Sequence, residues 1–544
     1  MSATLSNRTA PDIDFDVVVV GAGFAGMYML HRLRALGLAA RVYEAGTGVG
    51  GTWFWNRYPG ARCDVESMQY SYSFSDELQQ EWVWTERYPK QAEILRYIDH
   101  VADRFDLRRN IQLQTRVTAA RLDAAANLWR VTTDRGDVVT ARFCVMATGA
   151  LSAARMPEIA GLESFQGRQY HTGDWPNEEV DFTGQRIGVI GTGSSGIQAI
   201  PHLAARADHL TVFQRTPNFS IPAWNEPLPA ERQAAWKADY AGHRARARTT
   251  RSGILYEYSQ RGALDVPEEE RRREFEARWK RGGANFTHAF NDIFIKKESN
   301  DHAAEFVRDR IRSIVQDPAV AAKLLPMDHP IGTKRICVDT DYYATFNRPN
   351  VTLVDVRATP IEAITPTGIR TSEMEYPLDS IVFATGYDAV TGALGRIDIR
   401  GEDDLALKRK WAGGPHTYLG IMTAGFPNLF MITGPGSPSV LTNVIVAIEQ
   451  HVGWVADCLA FMQAHGIARI APDAQAEADW VAEVNAVADR TLFPQAASWY
   501  MGANIPGKPR VFLPYVGGFN KYTEICDEVV AAGYRGFQFD READ

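Results

Sequence analysis

Two glycine-rich segments of this sequence have the spacing of phosphate-binding turns. In the first, Gly21, Gly23 and Gly26 follow the apolar run DFDVVVV and precede a helix-forming segment. Glycines at this spacing permit a tight turn and a close backbone approach, so a pyrophosphate can rest on the helix N-terminus. Glu44 ends the next apolar run, where a carboxylate can accept hydrogen bonds from ribose hydroxyls. This context favours a dinucleotide site over the alternative, a glycine-rich turn without a ligand.

The second segment, GTGSSG at 191–196, has the same spacing between another apolar run and another helix-forming segment. The position that corresponds to Glu44 holds Gln214, which Arg215 and Thr216 follow. A carboxylate there would repel a 2′-phosphate, whereas an amide beside a guanidinium can hold it through charge-assisted hydrogen bonds. We therefore predict NADP rather than NAD at this unit. The alternative for Arg215 is a solvated residue at a strand end.

The elements that position these motifs form two repeats of strand, turn, helix and strand. Residues 15–45 and 186–216 each predict such a βαβ unit, so the fold class is α/β with two Rossmann-type dinucleotide-binding domains. The segments NVTLVDV, GIRTSEMEYPLDSIVFATGYD and NLFMITGPG predict further strands. Between 223 and about 330 the sequence is charged and helix-forming, with Pro267 able to start one helix and Gly282 able to end it.

Two apolar strands end in the same tripeptide, at 147–149 and 384–386. Small residues at a strand end let the backbone pass close to a nucleotide or enter another domain, so we place domain junctions there. The second dinucleotide domain is then inserted in the first. The predicted domains are a first dinucleotide-binding domain at 1–149 and 386–544, an NADP-binding domain at 150–222 and 331–385, and a helical insertion at 223–330.

An aromatic loop and a cationic pair are further candidates for chemistry. The loop GGTWFWNRYPGARCD could lie against a flat ring system, although Trp53 and Trp55 could equally form a core aromatic cluster. Asp64, at its end, either caps backbone groups or faces a buried cation. Lys334 and Arg335 precede a probable strand and could supply that cation, or could be a solvated pair.

Composition excludes several classes of protein. With 544 residues the chain exceeds the usual size of one hydrophobic core, so two or three domains are expected. A net charge of −8 without a basic tract argues against a nucleic-acid surface. The N-terminal segment MSATLSNRTAPDIDFD lacks the apolar core of a signal peptide, and no run of about 18 apolar residues occurs. We predict a cytoplasmic protein without a membrane partner, as a monomer or weak oligomer.

The cysteines predict neither a metal site nor a redox dithiol. They are scattered, without C-x-x-C or metal-binding spacing, and we expect them to be reduced. Their positions are Cys63, Cys144, Cys337, Cys458 and Cys526.

The segment FQGRQYHTGDWP resembles the F-x-G-x-x-x-H-x-x-x-W-[P/D] fingerprint of type I Baeyer–Villiger monooxygenases, through Phe165, Gly167, His171, Trp175 and Pro176. The aromatic loop is similar to the second signature of that family. The segments DYYATFNRPNVTLVD, TYLGIMTAGFPNLFMITGPGSPS and SWYMGANIPGKPRVF resemble its phenylacetone and steroid monooxygenase branch.

This resemblance implies an enzyme that uses FAD, NADPH and molecular oxygen to convert ketones to esters or lactones through a C4a-peroxyflavin. Hydrophobic aryl, aliphatic or cyclic ketones are the implied substrates, with sulfoxidation as a side activity. Arg335 would be catalytic, stabilising the peroxide and the oxyanion of the adduct, and Asp64 would orient it. Lys334, Arg215 and Thr216 would grip the NADP phosphate. His171 would couple movements of the two domains, although an ordinary hydrogen-bonded linker histidine is the alternative.

The resemblance also implies two sets of contact residues. The substrate residues lie in the loop GPGSPSVLTN, in which Val444 stands where the branch has methionine; they are Ser439, Val440, Leu441 and Val444. The cofactor-binding residues are Gly21, Gly23, Gly26, Glu44, Thr52, Trp53, Trp55, Asp64, Tyr70, Val117, Gly191, Gly193, Ser194, Ser195, Gly196, Gln198, Arg215, Thr216, Lys334 and Trp499.

Three other functions compete with this hypothesis. A flavin N-hydroxylating or sulfur-oxidising monooxygenase shares two Rossmann units but should lack the ending that Trp175 and Pro176 provide. A disulfide reductase needs paired cysteines after the first glycine turn, and Cys63 has no near partner. A non-catalytic NADP-binding redox sensor would not need Asp64, Lys334 and Arg335 together.

Overall fold

The computed structural model describes residues 13–541. Residues 1–12 and 542–544 lie outside the described residues. The prediction that the N-terminal segment is not a signal peptide, and the outer ends of the predicted pieces 1–149 and 386–544, fall there.

The strands of the described chain lie before residue 223 and after residue 336. In chain order they are β1 (Phe15–Val20), β2 (Ala40–Tyr43), β3 (Ile111–Gln112), β4 (Val117–Asp123), β5 (Leu128–Thr133), β6 (Val138–Met146), β7 (Arg168–His171), β8 (Arg186–Ile190), β9 (His209–Gln214), β10 (Ser220–Pro222), β11 (Cys337–Asp339), β12 (Val351–Asp355), β13 (Ile361–Thr365), β14 (Gly368–Thr371), β15 (Glu375–Pro377), β16 (Ser380–Phe383), β17 (Asp398–Arg400), β18 (Leu429–Met431), β19 (Ile467–Pro472) and β20 (Phe537–Arg541).

The α-helices of the same residues are α1 (Phe24–Ala35), α2 (Thr52–Trp55), α3 (Asp76–Glu81), α4 (Gln91–Arg104), α5 (Ser194–Ala204), α6 (Ala230–Lys237), α7 (Tyr240–Arg248), α8 (Glu268–Arg281), α9 (Lys297–Ile314), α10 (Pro318–Leu324), α11 (Tyr342–Thr345), α12 (Gly392–Gly395), α13 (Leu407–Lys410), α14 (Val444–His465), α15 (Ala474–Asp489) and α16 (Phe519–Ala531). The helix predicted between Pro267 and Gly282 is confirmed as α8.

Two separate sheets with parallel strands at their centres organise the chain. The first has the order β17-β4-β5-β6-β1-β2-β3, with β18 also paired to β6. The second has the order β12-β9-β8-β16-β7, and all its pairs are parallel. The continuous apolar run of β1 fits its place between β2 and β6, because central parallel strands are covered on both faces. The α/β class with two Rossmann-type units is confirmed.

The chain leaves the first sheet and later returns to it. After β6 it builds the second sheet from β7, β8, β9, β12 and β16, and then β17 and β18 rejoin the first sheet. The predicted strands after residue 350 are present as β12, β14, β15, β16 and β18. The insertion of one dinucleotide unit in the other therefore follows from strand order, whereas the exact boundaries 149, 222, 330 and 385 stay predictions.

The predicted insertion 223–330 packs on both units. Tyr240 of α7 and Ile254 belong to the apolar core of the first sheet. Phe275 of α8 and Val307 of α9 belong to the core of the second sheet. The two parts of this segment are thus packed on different dinucleotide units.

Helix α14 runs beneath the first sheet. By length and composition it is the one helix among residues 13–541 that could cross a membrane, but 67% of its most apolar window is buried inside the protein. It packs against α1, and its residues Val452 and Val455 are fully buried in the first core. Its apolar character is therefore accounted for by the core.

Candidate active site

Both glycine turns have the same backbone geometry, and that geometry requires glycine. Gly21, between β1 and α1, has a φ of 103°, and Gly191, between β8 and α5, has a φ of 110°. A Cβ on Gly26 would lie 1.8 Å from the Gly21 carbonyl oxygen, and one on Gly196 would lie 2.2 Å from that of Gly191. Because both distances are far below van der Waals contact, only glycine lets each helix begin so close to its strand. The N-termini of α1 and α5 are thus shaped for a phosphate group.

The two Ala-Thr-Gly segments close these turns from the neighbouring strand. A Cβ on Gly21 would lie 2.6 Å from the carbonyl oxygen of Ala147, which directly follows β6. A Cβ on Gly191 would lie 2.4 Å from that of Ala384, which directly follows β16. The close backbone approach predicted at these tripeptides is therefore an approach to the glycine turns.

The residues at the ends of β2 and β9 differ in what they contact. Glu44 Oε2 accepts a hydrogen bond from the Ala22 N–H at 2.8 Å, and Oε1 accepts one from the Gly46 N–H at 2.7 Å. Gln214 is 1% exposed, and its Nε2 donates to the Lys323 carbonyl oxygen at 2.7 Å. The expectation that this amide holds a phosphate is therefore wrong, because the amide faces the interior. The amide still differs from Glu44 in carrying no negative charge that would repel a phosphate.

Arg335 and Asp64 are joined directly, although they are far apart in sequence. Arg335 Nε donates to Asp64 Oδ2 at 3.0 Å, and Nη2 lies 2.8 Å from Oδ1 and 2.7 Å from Oδ2. Nη1 donates to the Val440 carbonyl oxygen at 2.7 Å. The charge of Asp64 raises the pKa of Arg335 above its ordinary value. The guanidinium is thus a permanent cation fixed along one edge by a carboxylate and at the other by the predicted substrate loop.

The loop that carries Asp64 is attached to helix α5 of the other unit. Gln198 Oε1 accepts from the Tyr58 hydroxyl at 2.8 Å and from the Arg62 N–H at 3.4 Å, and its Nε2 donates to the Arg62 carbonyl oxygen at 3.0 Å. A Cβ on Gly60 would lie 2.4 Å from the Gln198 carbonyl oxygen. The structure therefore gives Gln198 a tie to the Asp64 loop, and its contact with a cofactor stays a prediction.

Trp53, in the predicted aromatic loop, belongs to a buried aromatic cluster. Trp53 Nε1 donates to the Tyr70 hydroxyl at 3.0 Å, with their rings edge to face. Phe24, the first residue of α1, lies edge to face with Tyr70 at 5.7 Å. Trp55 is half-buried, and its carbonyl oxygen accepts from the Trp175 N–H at 3.2 Å. The core cluster that was the alternative is thus present for Trp53, beside the N-terminus of α1, and Trp55 lies outside it.

The predicted substrate loop is constrained and closely packed. Ser439 has a φ of 42°, and its buried Oγ has no hydrogen-bond partner among residues 13–541. Val440 packs in an apolar cluster with Tyr500 and Phe512, against which Leu441 also packs. Val444 begins α14 and lies against the first core. The loop is therefore held between the C-terminal segment and Arg335.

Trp499, Thr52 and Val117 occupy different surroundings. Trp499 is half-buried in the C-terminal segment beside Tyr500, with ring centroids 4.2 Å apart. Thr52 is exposed at the start of α2. Val117 is 4% exposed in the core of the first sheet. Their contacts with cofactors stay predictions.

His171 ends β7 and has partners on both ring nitrogens. The Gly173 N–H donates to Nδ1 at 2.9 Å, so Nε2 carries the ring proton. Nε2 lies 3.2 Å from the Arg155 carbonyl oxygen and 3.3 Å from Thr385 Oγ1. Burial lowers the pKa of His171. The neutral imidazole therefore links the chain after β6 to the tripeptide after β16.

The other fingerprint residues anchor the same linker. Phe165 is buried in a small core, and a Cβ on Gly167 would lie 2.5 Å from its ring. Trp175 packs in the second core and donates its N–H to Trp55. A cavity of about 320 Å³ lies between Trp55, Trp175 and Pro176. The fingerprint thus joins the aromatic loop that contains Trp55 to the second sheet.

Known proteins with similar sequences identify the family. The family described as pyridine nucleotide-disulphide oxidoreductase matches residues 18–228. A Baeyer–Villiger monooxygenase of Pseudooceanicola batsensis is 43% identical over 548 residues, which span 100% of this chain and 100% of that protein. The chain belongs to the type I Baeyer–Villiger monooxygenases.

Two further known proteins are similar to this monooxygenase. The structure of an oxidized steroid monooxygenase bound to NADP is 53% identical, with a TM-score of 0.93, and the match covers 97% of this chain and 100% of that one. A phenazine N-monooxygenase of Lysobacter antibioticus is 41% identical over 527 residues, 96% of each chain. This monooxygenase uses FAD, NADPH and molecular oxygen to convert ketones to esters or lactones.

The second glycine turn of this monooxygenase has room for a pyrophosphate, and its cysteines form no disulfide. A Cβ on Gly193 would meet nothing within 4 Å, so open space lies over the second turn where a pyrophosphate would bind. All five cysteines are buried and unpaired, which differs from a disulphide enzyme. Among residues 13–541 no group of His, Cys, Asp and Glu side chains could hold a metal ion.

Four charged residues of the monooxygenase lie together near the ends of β9 and β12: Arg215, Asp328, Lys334 and Arg357. Arg357 Nη2 donates to Thr216 Oγ1 at 2.9 Å and pairs with Asp328. Burial alone would raise the pKa of Asp328, but hydrogen bonds from Arg357 and His329 lower it to about 2. Burial lowers the pKa of Lys334, and Arg357 and Arg215 lower it further. The predicted residues Arg215, Thr216 and Lys334 are therefore brought together at one strand edge.

Sequence reasoning missed Arg357 and Asp328. The register pairs Asp355 of β12 with Gln214 of β9, so the residues after these strands leave the sheet at the same edge. Arg357 follows β12 as Thr216 follows β9, and recognition of two neighbouring parallel strands could have found it. Asp328 lies in a loop after α10, where the sequence offers no comparable signal.

Proposed function

We propose that Arg335 stabilises negative charge during ketone oxygenation and that Asp64 holds it in place. The observation that carries this proposal is the bidentate contact between the two side chains, with Nη1 turned to the Val440 carbonyl oxygen. Attack on a ketone places negative charge on the former carbonyl oxygen, and a fixed, permanently charged fork lowers the free energy of that state. When bound, FAD accepts a hydride from NADPH and activates molecular oxygen.

The substrate we propose is a hydrophobic aryl, aliphatic or cyclic ketone. We propose that Ser439, Val440, Leu441 and Val444 contact the substrate, which is supported by the packing of Val440 and Leu441 with Tyr500 and Phe512. An apolar wall excludes water from the reacting groups, which strengthens the charge interaction of Arg335. Trp499, at the start of the same C-terminal segment, would extend this cover toward the cofactors.

The NADP phosphate group is proposed to bind at Arg215, Thr216 and Lys334. Support comes from the strand edge at which they meet, together with Arg357. A cation cluster there holds a 2′-phosphate through charge-assisted hydrogen bonds. The turns at Gly21 and Gly191 would seat the two pyrophosphates.

We propose that His171 couples the two dinucleotide units rather than transfers a proton. Its neutral ring bridges the Arg155 carbonyl oxygen and Thr385, which belong to the two chain crossings between the units. The FAD-binding pieces 1–149 and 386–544 and the NADP-binding pieces 150–222 and 331–385 would move about these crossings.

A cytoplasmic monomer or weak oligomer without membrane or nucleic-acid partners is the proposed state of the enzyme. The net charge of −8 supports the absence of a nucleic-acid partner, and the burial of α14 supports its place in the core.

Replacement of Arg335 tests the proposed chemistry. Arg335→Ala should lower ester formation by about two to three orders of magnitude, because the oxyanion loses its preorganised cation. Anaerobic reduction of FAD by NADPH should continue. The measurement is ester from phenylacetone, NADPH consumed and hydrogen peroxide released. Arg348→Ala, at an exposed arginine, is the matched control and should behave as wild type. Ester formation at the wild-type rate in Arg335→Ala would refute the assignment.

Oxygenation of a heteroatom is a second candidate, and the similarity to a phenazine N-monooxygenase favours it. Phenazine and methyl phenyl sulfide should be compared with phenylacetone under identical conditions. A higher kcat/KM for either heteroatom substrate would identify N- or S-oxygenation as the main activity.

A further inference from the structure

Arg244, on α7, is a buried guanidinium whose hydrogen-bond acceptors are all neutral. It is 8% exposed. Its Nε donates to Gln79 Oε1 at 3.1 Å, Nη1 to the Gln69 carbonyl oxygen at 3.1 Å, and Nη2 to Ser71 Oγ at 2.7 Å. Nη2 also lies 3.4 Å from the Tyr72 carbonyl oxygen. A buried charge requires such compensation, and the planar fork of arginine spans acceptors that one lysine ammonium cannot reach together.

Gln69 is the residue that these contacts fix most directly. Its carbonyl oxygen also accepts from Asn443 Nδ2 at 2.7 Å, and its Oε1 accepts from the Leu255 N–H at 2.7 Å. The Asn443 N–H in turn donates to the Ser252 carbonyl oxygen at 2.8 Å. Three segments therefore meet at Gln69: the chain before Tyr70, the end of the substrate loop, and the insertion at 252–255.

The same segments carry groups on two sides of the proposed site. The Tyr70 hydroxyl, directly after Gln69, accepts a hydrogen bond from Trp53 Nε1, and we call these two side chains, which are predicted to contact a cofactor, the Tyr70 wall. Asn443 caps α14, directly after the loop in which the Val440 carbonyl oxygen accepts from Arg335. A displaced Gln69 carbonyl group would shift the Tyr70 wall and the substrate loop relative to each other.

We propose that Arg244 is a positioning residue for oxygenation: through Gln69 it sets the substrate loop against the Tyr70 wall, and so determines how much consumed NADPH yields ester rather than hydrogen peroxide. This inference rests on the proposed roles of Tyr70 and the substrate loop. Arg244 lies outside the NADP cation cluster, so reduction of FAD by NADPH does not depend on it.

The Arg244→Lys variant of the holoenzyme tests this role, because it keeps the charge and loses the fork. We expect the ratio of ester to NADPH to fall at least about twofold and the KM for phenylacetone to rise about tenfold, the usual effect of losing a hydrogen bond to a charged group. Hydrogen peroxide should rise correspondingly, and the anaerobic rate of FAD reduction should stay within about twofold of wild type, since the cation cluster is intact.

Arg246→Gln is the matched control on the same helix. Arg246 is 55% exposed and pairs with Asp239 at 3.2 Å. Its replacement should leave the ester ratio, the KM and FAD reduction unchanged, because exposed ion pairs contribute little.

A second variant keeps the proposal open to refutation if Arg244→Lys does not retain FAD. Asn443→Asp removes the side-chain N–H group that donates to the Gln69 carbonyl oxygen and keeps the Oδ1 that caps α14, and it should also lower the ester ratio. A folded, flavin-loaded Asn443→Asp with the wild-type ester ratio would overturn the inference. So would Arg244→Lys with activity reduced only in proportion to lost FAD.

Ester formation by the wild-type enzyme distinguishes a failure of this inference from a failure of the proposed function. If wild type forms no ester from phenylacetone, cyclohexanone or acetone, the proposed function fails before Arg244 is tested. If wild type forms ester in a fixed ratio to NADPH and both variants keep that ratio, the positioning role alone fails.

Discussion

The two dinucleotide units share a turn and differ at the end of the strand that follows it. Both first glycines have strongly positive φ, and both third glycines exclude a side chain for the same reason. Glu44 turns its carboxylate back to the first turn and binds two backbone N–H groups. Gln214, at the corresponding position, turns inward to a carbonyl oxygen. The two units therefore share the geometry of the turn proposed to seat a pyrophosphate, and they differ at the strand end proposed to select the dinucleotide.

In the second unit, the residues proposed to select NADP come from several strand ends rather than from one residue. Arg215 and Thr216 follow β9, Arg357 follows β12, and Lys334 precedes β11. Asp328 offsets part of this charge and pairs with Arg357. A carboxylate at position 214 would bury a negative charge, so the neutral amide matters even though it turns inward.

The largest expected effect comes from adding a methyl group at Gly26, in the first glycine turn. Gly26→Ala places a Cβ 1.8 Å from the Gly21 carbonyl oxygen. Overpacking against backbone costs about 3 kcal/mol, roughly a hundredfold in affinity for FAD. The protein should purify without yellow flavin absorbance. Gly193→Ala, where a Cβ meets nothing within 4 Å, is the control and should retain FAD. A yellow Gly26→Ala protein would show that the first turn is not the FAD seat.

A smaller effect is expected from the strand end of the second unit. Arg215→Ala should raise the KM for NADPH about 10- to 100-fold, as expected for the loss of a charge-assisted hydrogen bond to phosphate. The KM for NADH should not change, because NADH lacks the 2′-phosphate. Steady-state kinetics with both cofactors measure the ratio. Arg206→Ala, at an exposed arginine paired with Glu179 at 3.6 Å, is the control. Equal losses with NADH and NADPH would move the phosphate site elsewhere.

The smallest effect is a pH dependence of NADPH binding. Burial lowers the pKa of Lys334, so its ammonium loses charge at less alkaline pH than an ordinary lysine. The charged form exists below that pKa and binds phosphate, so the KM for NADPH should rise a few-fold as pH increases through it. Lys334→Arg should remove this rise, because arginine stays charged. The same rise in Lys334→Arg would assign the titration to another group.

Much of the fold and part of the site could be predicted from local patterns. The βαβ units, the strands after residue 350 and the helix between Pro267 and Gly282 each depend on neighbouring residues, and the structure contains them. The pairing of Asp64 with Arg335 could not be derived from spacing, since a loop of the first unit meets a strand end of the second. The resemblance to a known family supplied that pair, and the structure then gave its geometry.

The prediction for Gln214 failed because sequence position does not give side-chain direction. Its offset from the glycine turn matched that of Glu44, but packing against α10 turned the amide toward Lys323. Arg244 and Gln69 gave no sequence signal at all, because a buried arginine with neutral acceptors has the same local sequence as an exposed one.

The sequence by itself determined the glycine turns, the strands that hold them and the fingerprint, because each is specified by residue types at short spacing. Tertiary structure decided how distant groups meet. It sets the geometry of Arg335 with the Asp64 carboxylate, and it alone brings Arg335 to the Val440 carbonyl oxygen, His171 to the Arg155 carbonyl oxygen and Thr385, and Arg244 to the Gln69 carbonyl oxygen. The physical reason is that these contacts form between segments joined only by packing, where burial and hydrogen-bond direction select the partner.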